Sequence, residues 1–314
     1  MKKPKSKGPQ GLPMKETTDW ERPYRLQFDK ELRHLRDDCG LEITDWDRAE
    51  RCLNLVSPFH LEGFSIQWMD PAQKHFRKGT RFEDIFAVYR ADRDLKDFLF
   101  DSLSEIEVQM RVVIGFVLQK RYGDFGYLKE ENFRNEEFFT NFIHDVHNEW
   151  HRANEPYVAH YRDRYEDGCP IYMAVEIITF GSLSKLFSNM KRQDQKAVAA
   201  FYGIKSETVL ASYFRALTTI RNTCAHHGRM MNRVFEDGCA ILKSDQALVE
   251  QLDPGFRIHS DRLFAAIVAI CHLLPKIRQD QLLENFTELF QTYSQYDPYF
   301  LNFPPHWREM LDQI

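Results

Sequence analysis

Apolar residues recur along most of this chain at the three-and-four spacing of an amphipathic helix. The clearest run lies between Phe82 and about Tyr122, where positions 95, 98, 99, 103, 106, 110, 113, 114, 117 and 118 line one face. Thr80 stands ahead of it as a cap, and Gly123 and Gly126 close it. Similar patterns predict helices over about 29–38, 45–56, 136–152, 155–165, 171–179, 182–191, 193–202, 207–228, 259–277 and 281–294. Pro170 precedes one start and Gly203 follows one stop, as helix termini favour. Ser206 suits the N-cap of the 207–228 helix. Strand alternation is nearly absent; Val234 to Ile241 predicts at most one short hairpin about Asp237-Gly238. The expected fold class is therefore all-α, with residues 1–20 a flexible basic tail and 21–314 a single domain.

Composition narrows the class. The chain has 314 residues, 43% hydrophobic and 28% charged, enough to bury a core and inconsistent with wholesale disorder. Its longest apolar run, Leu263 to Leu274, falls far short of the roughly 20 residues of a membrane span. The N-terminal Met1-Lys-Lys-Pro-Lys segment is basic with no apolar stretch behind it, unlike a secretory signal. Six scattered cysteines without a Cys-x-x-Cys pair fit reduced thiols. Together these predict a cytoplasmic protein with no membrane partner.

Charge then singles out one region. The formal net charge is −5, yet Lys185 to Arg233 carries nine Lys/Arg against Asp194 and Glu207. That segment is +7, leaving −12 elsewhere. At its end stands Arg221-Asn222-Thr223-Cys224-Ala225-His226-His227-Gly228-Arg229, followed by Met230, Met231, Asn232 and Arg233. Apolar residues at 210, 214, 217, 220 and 224 form the inward stripe of this helix, and on an ideal helix Asn222, His226 and Arg229 share a face. Arg221 then lies about 140° from His226. A cationic segment ending in imidazoles suits a polyanion that is cut as well as held. An ordinary basic helix C-terminus is the competing explanation.

The motif helix resembles the Abi family of bacterial abortive-infection (phage-resistance) proteins of the AbiD/AbiF type, which belong to the HEPN superfamily of α-helical ribonucleases. The specific match is Arg-Asn-x-Cys-Ala-His-His-x-Arg-x-x-Asn-Arg, here Arg221 to Arg233. Further matching blocks are Pro170 to Asn189, Phe82 through Arg111, and Phe303-Pro304-Pro305-His306-Trp307, so the resemblance extends from about Arg22 over nearly the whole chain. The chain departs from it at Phe59-His60-Leu61-Glu62, where family members carry a basic residue. The resemblance implies an HEPN-like helical bundle and an Arg-x4-His ribonuclease motif mapping to Arg221 and His226. It also implies an RNA substrate and a partner copy that completes a symmetric site. For relatives encoded beside small structured RNAs, it implies such an RNA as antitoxin or regulator.

The residues support the same chemistry independently. Cleavage of RNA by its own 2′-OH needs a proton shuttle near neutrality and a fixed cation for the phosphate, and His and Arg supply these. Asn222 is placed to orient the imidazole or bond the phosphate, so Arg221, Asn222 and His226 form the expected catalytic set. His227, also at permitted spacing from Arg221, joins Arg229, Asn232 and Arg233 as supporting or RNA-binding residues. None of the other ten histidines has an Arg five to seven residues ahead, so the chain holds one half-motif. Glu107 and Arg111, four apart on an apolar stripe, are candidates for a buried supporting pair. His144, His147 and His151 share a helical face but read better as a solvated surface than as a metal site. Walker A, G-x-G-x-x-G and G-x-S-x-G motifs are absent, and neither metal nor cofactor is expected. The leading expectation is a metal-independent, toxin-type endoribonuclease in phage defence. The alternative is a non-catalytic RNA-binding or protein-binding regulator built on the same motif.

Overall fold

The computed structural model describes residues 27–70, 72, 74–162, 165 and 168–314, so the basic tail lies outside the described residues. The fold is all-α: the described residues form 14 α-helices and one small two-stranded sheet. The chain divides into two compact units, Met1–Phe86 and Ala87–Ile314.

In the first unit, α1 (Asp29–Arg33) runs into a π-helical turn, His34–Asp38. Then come α2 (Trp46–Leu55) and α3 (Pro58–Ser65). Asp45 caps α2 by accepting from the Arg48 N–H at 2.9 Å, and Ser57 caps α3 with Pro58 at its first position. Strands β1 (Met69–Asp70) and β2 (His75–Phe76) pair antiparallel, with Met69 opposite Phe76. Gly40, at φ 74°, meets the His75 ring so closely that a Cβ there would lie 1.9 Å from it. Leu32, Leu41, Leu53, Phe64 and Phe76 fill this unit's core.

Helix α4 (Phe82–Tyr122) is a single 41-residue helix, about 60 Å long, whose first turn belongs to the first unit. Leu95, Leu99, Leu103, Ile106, Met110, Val113, Ile114 and Leu118 are buried along it as their spacing predicts, while Phe98 and Val117 are half-buried. The second unit continues with α5 (Glu136–Arg152), α6 (Pro156–Arg162), α7 (Ile171–Ile177), α8 (Phe180–Asn189) and α9 (Arg192–Phe201). After these come α10 (Glu207–Ala225), α11 (Lys243–Leu252), α12 (Leu263–Leu273), α13 (Lys276–Thr292) and α14 (Trp307–Asp312). Apolar nearly all round, α12 is buried on every side except at His272. Helix α10 packs against α8, α9 and α12, and α5 packs against α7 and α8. At the chain's end Trp307 packs edge-on against Phe286 and Phe290, and Phe303 packs edge-on against Phe290 and tilted against Phe286, sealing the core beside α13.

Several boundaries differ from the periodic reading. The 259–277 pattern breaks at Leu274–Pro275: Leu274 is extended (ψ 148°), as a residue before proline prefers, and Pro275 opens α13 earlier than 281. Val234 to Ile241 forms no hairpin. Its amides Phe235 and Cys239 instead bond the carbonyls of Asp261 and Ser260, each at 2.9 Å. The carboxylate of Asp237 is spent on α10, 3.0 Å from the Thr219 hydroxyl and 3.4 Å from Arg215. Helix α10 stops at Ala225 rather than 228, which bears directly on the motif.

Candidate functional site

Ser206 caps α10 as expected, accepting from the Val209 N–H at 3.4 Å, and Leu210, Phe214, Leu217, Ile220 and Cys224 are all buried. The stripe fixes which side of α10 faces the core and so which residues flank it. Arg221, beside the stripe, is largely covered, its side chain 21% exposed. Its Nη2 lies 3.1 Å from Glu107 Oε2 on α4, its guanidinium carbon sits 5.5 Å above the Phe180 ring, and its Nε has no hydrogen-bond partner. The other oxygen of Glu107 accepts from Arg111 Nη2 at 2.5 Å. Arg111 Nη1 in turn donates to the carbonyl of Val175, and to that of Ile178 at 2.8 Å. These are carbonyls at the C-terminus of α7, where main-chain acceptors lack helical partners and the dipole favours a cation. One carboxylate thus carries two guanidinium groups, one locked to α7 and the other presented from α10. Gly115 lets α7 come this close, since a Cβ there would stand 3.1 Å from Val175.

The far end of the motif is a turn. Gly228 N–H donates to Thr223 O at 2.8 Å and His227 N–H to Cys224 O at 3.1 Å, the paired bonds of a Schellman ending. His226 is the C-cap, and His227 takes the left-handed position at φ 56°. Asn222, His226, His227, Asn232 and Arg233 are exposed, and Arg229 is half-buried. Because the helix ends at Ala225, the ideal-helix face shared by Asn222, His226 and Arg229 does not extend to Arg229, which sits in the loop beyond. Arg221 turns toward Glu107 on α4 and Phe180 on α8, whereas the two imidazoles stand exposed at the end of α10.

An anchor absent from the sequence reading holds the loop that follows. Asp92 on α4 is fully buried and accepts from the Met231 N–H at 2.8 Å, the Met230 N–H at 3.1 Å, the Tyr296 hydroxyl at 2.9 Å and Lys96 Nζ at 3.0 Å. Burial and the Asp92 carboxylate together push the Tyr296 hydroxyl well above the ordinary tyrosine range. Asn232, again left-handed at φ 55°, donates its N–H to Phe300 O at 2.9 Å. Asp92 and Lys96 sit four apart among Val88, Leu95 and Leu99, the same pattern that singled out Glu107 and Arg111. Applied one turn at a time along α4, that criterion finds them.

The cationic count is partly neutralised in three dimensions. Arg192 lies 3.9 Å from Glu207, Arg215 faces Asp237 and Arg221 faces Glu107. Asp194 is buried, 2.7 Å from Arg121 and 2.6 Å from the Tyr122 hydroxyl. His144, His147 and His151 are exposed on α5, and among the described residues no three His, Cys, Asp or Glu form a metal-binding group. No described helix is long and apolar enough to cross a membrane. Burial raises the thiols of Cys224, Cys239 and Cys271 to about 12 and that of Cys169 to about 11, so none of these four is a ready nucleophile at neutral pH.

A helical unit that carries an Arg-Asn-x3-His-His motif on α10, braced by Glu107 and Arg111 on α4, defines the class to which a family comparison gives its label. The model of the Abi-like protein family matches residues 51–232, and the chain belongs to that family. Membership points to abortive infection, a phage-defence process. The match ends at Asn232, within the loop that Asp92 anchors, and takes in both braced arginines. No curated protein and no solved structure matches the chain.

Proposed function

We propose that this protein is a metal-independent, HEPN-type endoribonuclease that serves as a toxin-like effector of abortive infection in the cytoplasm, cutting RNA through attack by the 2′-OH. The observation that carries this reading is the Glu107-braced guanidinium of Arg221 beside the exposed imidazoles that end the same helix. Arg221 bonds phosphate oxygens as negative charge builds on phosphorus. A planar cation fixed by a carboxylate does so without having to reorganise. His226 moves a proton at the ribose 2′ oxygen, and Asn222, one turn before it, orients the ring or bonds the phosphate. Arg229, Asn232 and Arg233 extend the contact along the RNA backbone. A largely covered Arg–Glu–Arg triad contributes little net stability for the desolvation it suffers, which suits a positioning role.

The active species in this reading is a homodimer, since one chain holds one half-motif. Val108, Val112 and Phe116 are 58–60% exposed at i, i+4, i+8 on α4, beside Glu107 and Arg111. Such a ridge offers a self-complementary surface that would bring two motifs together. A small structured RNA is the partner expected to restrain the enzyme.

The deciding experiment incubates purified protein with single-stranded RNA in EDTA. Cleavage leaving a 2′,3′-cyclic phosphate and a 5′-hydroxyl, blocked by a 2′-deoxy sugar at the scissile position, is the expected result. Binding without any product would transfer the motif to the regulator reading, and 5′-phosphate products that require a divalent ion would end this mechanism.

A further inference from the structure

The two imidazoles at the end of α10 stand on different backbone conformations. In a Schellman ending the left-handed residue is ordinarily glycine, because a Cβ there crowds the following carbonyl oxygen. Here that position is His227, at φ 56°. The glycine stands one residue later: at Gly228 a Cβ would lie 2.9 Å from Thr223 Cγ2 and 3.4 Å from Thr223 O. The chain therefore places its glycine at the close approach and keeps an imidazole at the left-handed position that glycine ordinarily fills. Strain retained beside a candidate site points to use of the strained group. His226 is at the adjoining C-cap, and both residues are exposed.

The proposed reaction has work for two such groups. As the 2′ oxygen bonds phosphorus, its proton must leave. As the bond from phosphorus to the 5′ oxygen breaks, that oxygen must gain a proton. A neutral imidazole accepts the first proton and an imidazolium supplies the second. No proton is consumed overall, and exchange with solvent restores both rings. Adjacent residues, one nearly helical and one left-handed, project their side chains differently from a single point of the backbone. We infer that His226 and His227 of one chain are an acid–base pair acting on the two apical oxygens of an RNA phosphodiester. Arg221, held by Glu107, bonds the oxygens between them. The inference rests on the ribonuclease reading and adds that both proton transfers are made by one copy of the motif.

The test compares His227→Gly, His226→Ala and the wild type on two oligonucleotides, each with a single ribonucleotide. One has the natural 5′ oxygen at the scissile bond and the other a sulfur in its place, which leaves without protonation. Glycine suits the left-handed position, so His227→Gly should melt no lower than the wild type. On the all-oxygen substrate both variants should lose about 100- to 10,000-fold in rate, the usual span for one general acid or base. Sulfur should restore one variant and not the other, and the restored variant identifies the acid. Wild-type cleavage by His227→Gly, or restoration of neither variant, overturns the pair and leaves the second proton to another group, such as one from a partner copy. Wild-type protein that cuts neither substrate removes the ribonuclease reading itself.

Discussion

Glu107 divides one carboxylate between two arginines, and only one of them is tied to the scaffold by main-chain carbonyls. Glu107→Gln keeps the shape and removes the charge that aligns Arg221. The expected outcome is a 10- to 100-fold fall in cleavage rate with a melting temperature within a few degrees of the wild type. A large loss of melting temperature with an unchanged rate for the folded fraction would return the residue to a purely structural role. Arg221→Ala and His226→Ala should each lose most RNA cleavage and all cellular toxicity in protein that still folds, as circular dichroism and a toxicity assay on the same variants would show. At this scale the sequence was partly legible. The i,i+4 spacing of Glu107 and Arg111 within an apolar stripe announced a buried pair, but no local pattern could announce that Arg221, over a hundred residues later, shares the same carboxylate. His227 was legible only as an imidazole at permitted spacing, because a left-handed backbone at a non-glycine residue leaves no trace in composition.

Among the elements, helix interiors followed periodicity and their ends did not. The stripe of α10 and all but Phe98 and Val117 of the α4 stripe are buried as their spacing demanded, yet α10 stops three residues early, since its ending is set by Gly228 packing on Thr223. Helix α11 escaped the periodic reading, and tertiary contacts at both its ends help hold it. His272 Nε2 lies 3.0 Å from Asp245 near its start, and His306 Nδ1 lies 2.6 Å from Asp253 just beyond its end. The hydrogen bond to Asp253, reinforced by its charge, raises the His306 pKa above the ordinary 6.5. A raised folded-state value makes this contribution complete below about pH 6.5 and lost as pH climbs through the higher folded value. Melting temperatures from pH 6 to 9 should therefore show a stability advantage of the wild type over His306→Gln that shrinks toward the alkaline end. An advantage that grew with pH would contradict the assignment. The effect should be small, because the imidazole is solvent-exposed.

At the level of the whole molecule, the apolar ridge of Val108, Val112 and Phe116 is the surface on which the proposed dimer would rest. Val112→Lys should leave the fold intact and convert dimer to monomer in light scattering, with loss of cleavage in proportion. A wild-type protein that is monomeric at working concentration and still cuts RNA would refute the shared assembly. The all-α class was plain in the sequence, as were most of the helices. The assembly of the site was not, because α4, α7, α8 and α10 reach it from distant parts of the chain. The Asp92 anchor has a consequence for how the motif moves. Loops that bear active groups commonly exchange their amide hydrogens fast, opening with little of the global stability. Met230 and Met231 lie outside any helix, yet their amides donate to a fully buried carboxylate. In deuterated buffer both should hold their protium about as long as amides in the middle of α12, and Asp92→Ala should release them by orders of magnitude. The chain just past the two histidines would then be as quiet as the core beneath it, and RNA would meet a preset surface rather than a closing flap.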